Sequence, residues 1–372
     1  MKVLFFTNIP SPYRVDFFNE LGKHCDLTVL YERCDADDRA SSWLKGEGNL
    51  HFKAVFLKGK KIGADTALCF SACKYWKDKS YDLRIVGDYA SPTGMLSIAY
   101  MRLKGIPYGV EIDGGYVKEE KGYVKAIKKW FLSRCAFAFS PGKTSDLYLE
   151  NYGVSQDRIH FYPFTSMKEE DIAKGADYFG KKELYKKKLG MKEEKVVLSV
   201  GQMIPRKGFD CLLEAKKALP AHVGLYIVGG TPPAEYLRYV EENDLQNVHF
   251  VDFKSKSALA EYYAAADLFA LPTREDIWGL VISEAMSYGL PVITTDKCVA
   301  GVELVAQEGG AIIGVDEPDR LAAEIERLLN EEEALACGRR NLARIKEYTI
   351  ENMAAHHSKA FSVLKDRITN GQ

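Results

Sequence analysis

The chain has 372 residues, 47% hydrophobic and 28% charged, with a formal net charge of −1. That length exceeds one ordinary core and predicts two domains, and the near-zero charge excludes a global pull toward nucleic acid. No apolar run approaches a membrane span, the stretch Met1 to Phe6 is too short for a signal peptide, and the eight scattered cysteines read as reduced thiols rather than a disulfide frame or zinc site.

In chain order, Val3 to Phe6 reads as a buried strand, Thr7 to Pro12 as a loop and Tyr13 to Leu21 as an amphipathic helix; a strand at 26–31 completes a β-loop-α-β opening. Further strands are expected at 52–57, 81–86, 107–111 and 136–140, with helices at 64–78, 93–103, 119–133 and 142–151. Such alternation predicts a mostly parallel sheet covered by helices on both faces. The Lys- and Glu-rich stretch from about 163 to 195 breaks the pattern and reads as a connecting segment with a solvated helix. A second alternating run opens at Val196, with strands near 223–228, 248–251, 267–271, 291–294 and 311–315. A final helix at 350–368 follows the second sheet and is expected to cross back onto the first domain. The expected division is therefore 1–165, a linker region at 166–195, a second domain at 196–347, and a returning helix at 348–372.

The densest signal lies between Leu271 and Ile293. Pro272 ends an apolar strand, residues 273–278 form a charged loop, and Gly279 opens a run in which Leu280, Val281, Glu284, Ala285 and Tyr288 recur at helical spacing. Gly289 suits a helix stop before the strand that starts at Pro291. A charged loop at the carboxyl end of a strand, opening into a helix N-terminus, is where open α/β sheets bind ligands. The amides of Gly279, Leu280 and Val281 suit a phosphate there. Asp276 and Glu284 are placed to face one crevice. Upstream, Gly201 ends a strand and is followed by Arg206-Lys207-Gly208, two adjacent cations that can clamp a diphosphate. The bland alternative is a solvated basic loop. Gly229, in the turn Val228-Gly229-Gly230, lets a backbone approach a nucleotide, although no GxGxxG fingerprint is present.

Together these pieces resemble the retaining family-4 glycosyltransferases over nearly the whole chain. The most specific parts are Asp276, seven residues, then Glu284, with the following helix and glycine turn, and Gly201 followed by Arg206-Lys207-Gly208. The resemblance implies an α/β GT-B architecture, two doubly wound Rossmann-like domains facing each other across a cleft. It also implies an N-terminal acceptor domain and a C-terminal nucleotide-sugar domain. By this resemblance Arg206 and Lys207 neutralise the donor diphosphate, Glu284 accepts bonds from the ribose, and Asp276 holds donor-sugar hydroxyls. The departing nucleoside diphosphate gathers negative charge, which such donors meet. The family's first acid is usually Glu; here it is Asp276, with Glu275 beside it as the substitute. The N-terminal loop carries prolines where the family often has glycines, leaving Tyr13 and Arg14 as candidates beside the acceptor or the donor phosphates.

The implied activity is retaining transfer of a hexosyl group from a nucleotide sugar to a glycan or lipid-linked acceptor in cell-surface polysaccharide synthesis. UDP-sugar is the favoured donor and GDP-sugar the second. No metal and no further cofactor are expected, and the implied location is cytoplasmic, with peripheral attachment to the inner membrane face as an extension. Glu111 and Asp113, in an acid-rich turn at a strand end, are candidates for acceptor hydroxyls or a catalytic contact, or else form an ordinary Asp-Gly turn. The segment 116–134 interleaves lysines with Tyr116, Tyr123, Ile127, Trp130, Phe131 and Leu132. It reads as a membrane-surface helix or as a helix whose apolar stripe enters the core. Asp35-Ala36-Asp37 imitates a metal-binding DxD and reads as a solvated loop. A two-carboxylate glycoside hydrolase would use Asp276 and Glu284 but leaves Arg206 and Lys207 without a task. A NAD-dependent oxidoreductase lacks its glycine fingerprint, and a non-catalytic sugar-nucleotide binder differs from the lead only in turnover.

Overall fold

The computed structural model describes residues 1–32, 50–63, 66–306 and 308–369. Asp35, Asp37 and Cys34 lie outside the described residues, as does part of the helix expected at 64–78. The chain divides into two units, Met1–Ser166 with Thr349–Gln372, and Met167–Tyr348.

The first unit is built on a seven-stranded parallel sheet. Its strands are β1 (Lys2–Thr7), β2 (Asp26–Tyr31), β3 (Lys53–Phe56), β6 (Leu83–Val86), β7 (Gly109–Glu111), β8 (Phe137–Ser140) and β9 (Ile159–Phe161), in the order β3-β2-β1-β6-β7-β8-β9. Every position of β1 after Lys2 is buried, as expected where helices cover both faces. The helices Pro12–Leu21 and Ile350–Thr369 pack together on this unit. Strand β9 was not anticipated, because three residues of mixed polarity carry no periodic signal.

The helix expected over 64–78 is instead short, Ala72–Trp76. Before it comes a hairpin of β4 (Lys60–Lys61) and β5 (Ala67–Leu68). Gly59 permits the close approach: a Cβ there would sit 2.4 Å from the Leu68 carbonyl oxygen and from Cys69 Sγ.

The second unit holds a six-stranded parallel sheet. Its strands are β10 (Lys195–Val200), β11 (Val223–Val228), β12 (Val248–Val251), β13 (Leu268–Leu271), β14 (Val292–Thr295) and β15 (Gly310–Ile313), in the order β12-β11-β10-β13-β14-β15. The stretch expected to be a linker is largely two helices, Glu169–Tyr178 and Lys182–Leu189, and is part of this unit. Lys182 and Lys186 reach Asp267, at 2.6 and 2.8 Å, so lysines that looked solvated in sequence tie the second helix to the start of β13.

Candidate functional site

In the second sheet the chain runs from β10 outward through β11 and β12, then returns to place β13 on the other side of β10. Connections leave β10 and β13 in opposite directions, which opens a crevice beyond their carboxyl ends. Gly201 continues β10, its amide donating to the Val228 carbonyl at 2.9 Å. Gly229, with φ of +152°, comes so close that a Cβ would lie 1.8 Å from the Gly201 oxygen. Only glycine fits.

The loop after β10 and the loop after β13 are stitched together. The Arg206 carbonyl accepts from the Arg274 amide at 2.8 Å and from Thr273 Oγ1 at 2.9 Å. The Arg274 guanidinium grips both oxygens of Asp210, at 2.9 and 2.6 Å, and also Asp316 at 2.8 Å. These bonds to two aspartates hold it charged. On this frame Lys207 Nζ donates to Asp276 Oδ2 at 2.5 Å, and Arg206 lies 3.9 Å from the same oxygen while donating to the Glu275 carbonyl. Lys207 and Asp276 are mostly buried, whereas Arg206 is exposed.

Asp276 is also fixed through its backbone. Its amide donates to Lys297 at 2.9 Å and its carbonyl accepts from Val299 at 3.2 Å. Gly279, at φ of +100°, faces Cys298, and a Cβ would come within 2.7 Å of its sulfur. The helix Leu280–Ser287 starts directly afterwards, and its first-turn amides have no carbonyl of their own helix to bond. Glu284, one turn further on, accepts a hydrogen bond from the Tyr263 hydroxyl at 2.9 Å. Burial pushes its carboxyl up, and the Tyr263 hydroxyl and Lys256 oppose that. Thus Arg206, Lys207, Glu275 and Asp276 converge, Gly201 and Gly229 meet backbone to backbone, and Gly279, Leu280 and Val281 form the adjoining turn.

The first unit gives a different answer for its four candidates. Glu111 and Asp113 are two residues apart at the end of β7, so both point to the side where Arg14 lies. Arg14 donates to Glu111 with one terminal nitrogen and to Asp113 with the other. Glu111 and Arg14 are buried, whereas the Asp113 side chain is 24% exposed and accepts from the Tyr13 hydroxyl at 3.2 Å. This corrects the expectation that Glu111 meets acceptor hydroxyls: one oxygen is taken by Arg14, the other by His357 at 2.7 Å, and neither reaches the surface. Arg14 is likewise an interior cation. Asp113 and Tyr13 remain candidates.

Sequence reasoning did not single out Arg274, Tyr263, His357 or Asp88. Asp88 follows β6, the strand beside β1 where the first sheet reverses direction; burial, and then Glu32, push its carboxyl up to about 6. An aspartate next to a glycine at a buried strand's end was the available signal.

On the helix Gly122–Leu132, Tyr123, Ile127 and Trp130 share one face and are 63%, 48% and 42% exposed. These three therefore face outward, whereas Leu132 of the same helix is buried and Phe131 packs against the core; Lys121, Lys125 and Lys129 are exposed on another side of the helix. Arg102 lies 4.0 Å over the Trp130 ring. Among the described residues no helix is long and apolar enough to cross a membrane.

Residues 181–350 match the glycosyl transferases group 1 family. The chain is 29% identical over 223 residues to the lipopolysaccharide glucosyltransferase WaaG of Escherichia coli, covering 54% of this chain and 59% of that protein. It is 28% identical over 257 residues to the GDP-mannose-dependent alpha-(1-6)-phosphatidylinositol monomannoside mannosyltransferase of Mycobacterium tuberculosis, covering 66% and 59%. Among the first relatives the matched stretches span 37% to 59% of the relatives' own lengths. In solved structures, Anabaena HepE in complex with UDP superposes with a TM-score of 0.75 at 17% identity, covering 98% of this chain and 100% of that one. The sucrose-phosphate synthase of Thermosynechococcus elongatus superposes with 0.72 at 19%, covering 98% and 99%. At such identities these two likenesses establish the fold alone. Residues 181–350 are a glycosyl transferases group 1 domain, carried in a chain with the two-Rossmann GT-B fold.

Proposed function

We propose that this chain is a retaining glycosyltransferase that moves a hexosyl group from a nucleoside-diphosphate sugar to a glycan or lipid-linked acceptor. The observation that carries the reading is the Lys207–Asp276 pair, with Arg206 beside it, at the β10–β13 reversal and next to a helix N-terminus. In this reading Lys207 and Arg206 meet the charge that develops on the departing diphosphate. The amides of Gly279, Leu280 and Val281 face phosphate oxygens. Asp276, with Glu275 as its neighbour, accepts from donor-sugar hydroxyls. Glu284, aligned by Tyr263, accepts from the ribose. No protein base is assigned to the acceptor proton; a donor phosphate oxygen on the attacked face takes it, which preserves the anomeric configuration. Asp113 and Tyr13 serve the acceptor.

UDP-sugar is the favoured donor, in keeping with the UDP complexes of HepE. A GDP-sugar is the second reading, because a relative at 28% identity is named for GDP-mannose. A thermal-shift screen against UDP, GDP, ADP, CMP and NAD tests both, since a ligand that binds only the folded state raises its midpoint. One nucleoside diphosphate is expected to give a shift that Arg206→Ala and Glu284→Ala both lose. Stabilisation by NAD alone, or by none of the five, sinks the reading.

The outward face of Tyr123, Ile127 and Trp130, on a helix that also exposes Lys121, Lys125 and Lys129, supports peripheral attachment to an anionic membrane at its inner face. Sedimentation with phosphatidylglycerol vesicles is expected to carry down the wild type at low salt, and Ile127→Ser/Trp130→Ser is expected to stay in solution. Equal sedimentation of the two would end the membrane reading.

A further inference from the structure

His357 sits on the helix Ile350–Thr369, with a sequence separation of 246 from Glu111. Its ring is fully buried, stacked on Phe139 with centroids 4.1 Å apart and enclosed by Phe17, Tyr162 and Phe361. Nδ1 is 2.8 Å from the Met353 carbonyl oxygen, and Nε2 is 2.7 Å from Oε2 of Glu111. A backbone carbonyl only accepts, and so does an ionised carboxylate; a ring that serves both donates from both nitrogens. Glu111 faces the Arg14 guanidinium, which stays charged, and that ion pair favours the carboxylate; burial raises its carboxyl, but its charged partners hold it below the usual glutamate range. The other titratable neighbours are Tyr162 beyond β9, Tyr13 on the helix Pro12–Leu21, and His356 on the same helix as His357.

With both ring nitrogens donating, the charges alternate, His357 positive, Glu111 negative, Arg14 positive, Asp113 negative, and sum to zero. A neutral imidazole would leave the same buried set with a net negative charge, which an interior tolerates poorly. It would also leave Arg14 as the sole cation for two carboxylates.

We propose that His357 is a positioning residue: as a buried imidazolium it satisfies Glu111 from one side, so that Arg14 keeps one nitrogen free to hold the partly exposed Asp113 carboxylate in a fixed pose. The consequence for catalysis rests on the glycosyltransferase reading, in which Asp113 serves the acceptor. The charge on His357 and the pose of Asp113 do not depend on that reading.

The test uses the full chain and two variants, His357→Gln and His357→Gln/Glu111→Gln, the second removing one cation and one anion together. Nitrogen-15 spectra of the wild type near neutral pH are expected to show a ring protonated on both nitrogens, assigned to His357 by its loss in the variants. The carbon-13 resonance of the Asp113 carboxyl is expected to move in His357→Gln and to return toward wild type in the double variant. Transfer of sugar from UDP-glucose or GDP-mannose to an added glycan acceptor is expected to fall about tenfold or more in kcat in folded His357→Gln. UDP and GDP affinity should be unchanged and the double variant should regain most of the rate; a purely structural histidine would lower the unfolding midpoint without this split. A singly protonated ring, an unmoved Asp113 resonance, or a double variant no better than the single one overturns the proposal. A wild type that binds neither nucleotide and transfers neither sugar overturns the glycosyltransferase reading instead, and the two resonances still decide the role of His357.

Discussion

Lys207→Met is expected to lower the rate of sugar transfer by about 10²–10³-fold, the loss that follows removal of one preorganised donor to a developing anion. Arg206 does not substitute. It is exposed, stands 3.9 Å from the shared Asp276 oxygen, and spends a terminal nitrogen on the Glu275 carbonyl. The same change leaves Asp276 mostly buried without its closest cation, so stability should also fall, on the order of 1–3 kcal/mol. The double variant Lys207→Met/Asp276→Asn separates the two effects: it restores much of the stability, because no uncompensated charge remains, and none of the rate. Urea unfolding and steady-state assays with UDP-glucose and GDP-mannose read the two quantities. A Lys207→Met enzyme within about threefold of wild-type kcat would remove Lys207 from charge stabilisation.

Arg14→Met is expected to cost about 3–5 kcal/mol of stability near neutral pH, because it strands buried carboxylates that lose their shared cation. The pH dependence makes the case specific. In the wild type Glu111 is held below its ordinary value, so its contribution is present above the unfolded glutamate pKa of about 4.3 and is lost as the pH falls through the folded value. Asp113 is raised, chiefly by burial and against the pull of Arg14, so its contribution has the opposite sense. Without Arg14 both carboxyls move up, and the variant gains stability on acidification while the wild type loses it. Unfolding midpoints from neutral pH to about pH 4 should therefore converge. Parallel curves would show that Arg14 does not hold these acids.

Apart from β9, the strands of both sheets were legible because parallel strands covered on two faces read as short unbroken apolar runs, such as Val3 to Phe6 or Val196 to Leu198. The charged loop at 273–278 was legible because Pro272 and Gly279 bracket it and Asp276 falls at a fixed spacing from Glu284. Arg274 was not: its work lies in reaching Asp210 and Asp316, partners that only the folded loops bring near. Glu111 looked like a surface acid because a carboxylate beside Gly114-Gly115 fits a turn. Its real partners are Arg14 and His357, whose sequence separations from it are 97 and 246. The outward face at Tyr123, Ile127 and Trp130 was ambiguous because periodicity gives the face and not the side it turns to.

The helix Ile350–Thr369 belongs to the first unit, yet the ribosome reaches it only after all of Met167–Tyr348 has been made. The second sheet is continuous in sequence and can close its core during synthesis. The first must wait, with the aromatic bed of Phe17, Phe139 and Tyr162 uncovered and Glu111 missing its second cation. Contacts that span so much chain form slowly, and the surface they cover stays open to chaperones and to misassembly until they do. The domain that is translated first is finished last.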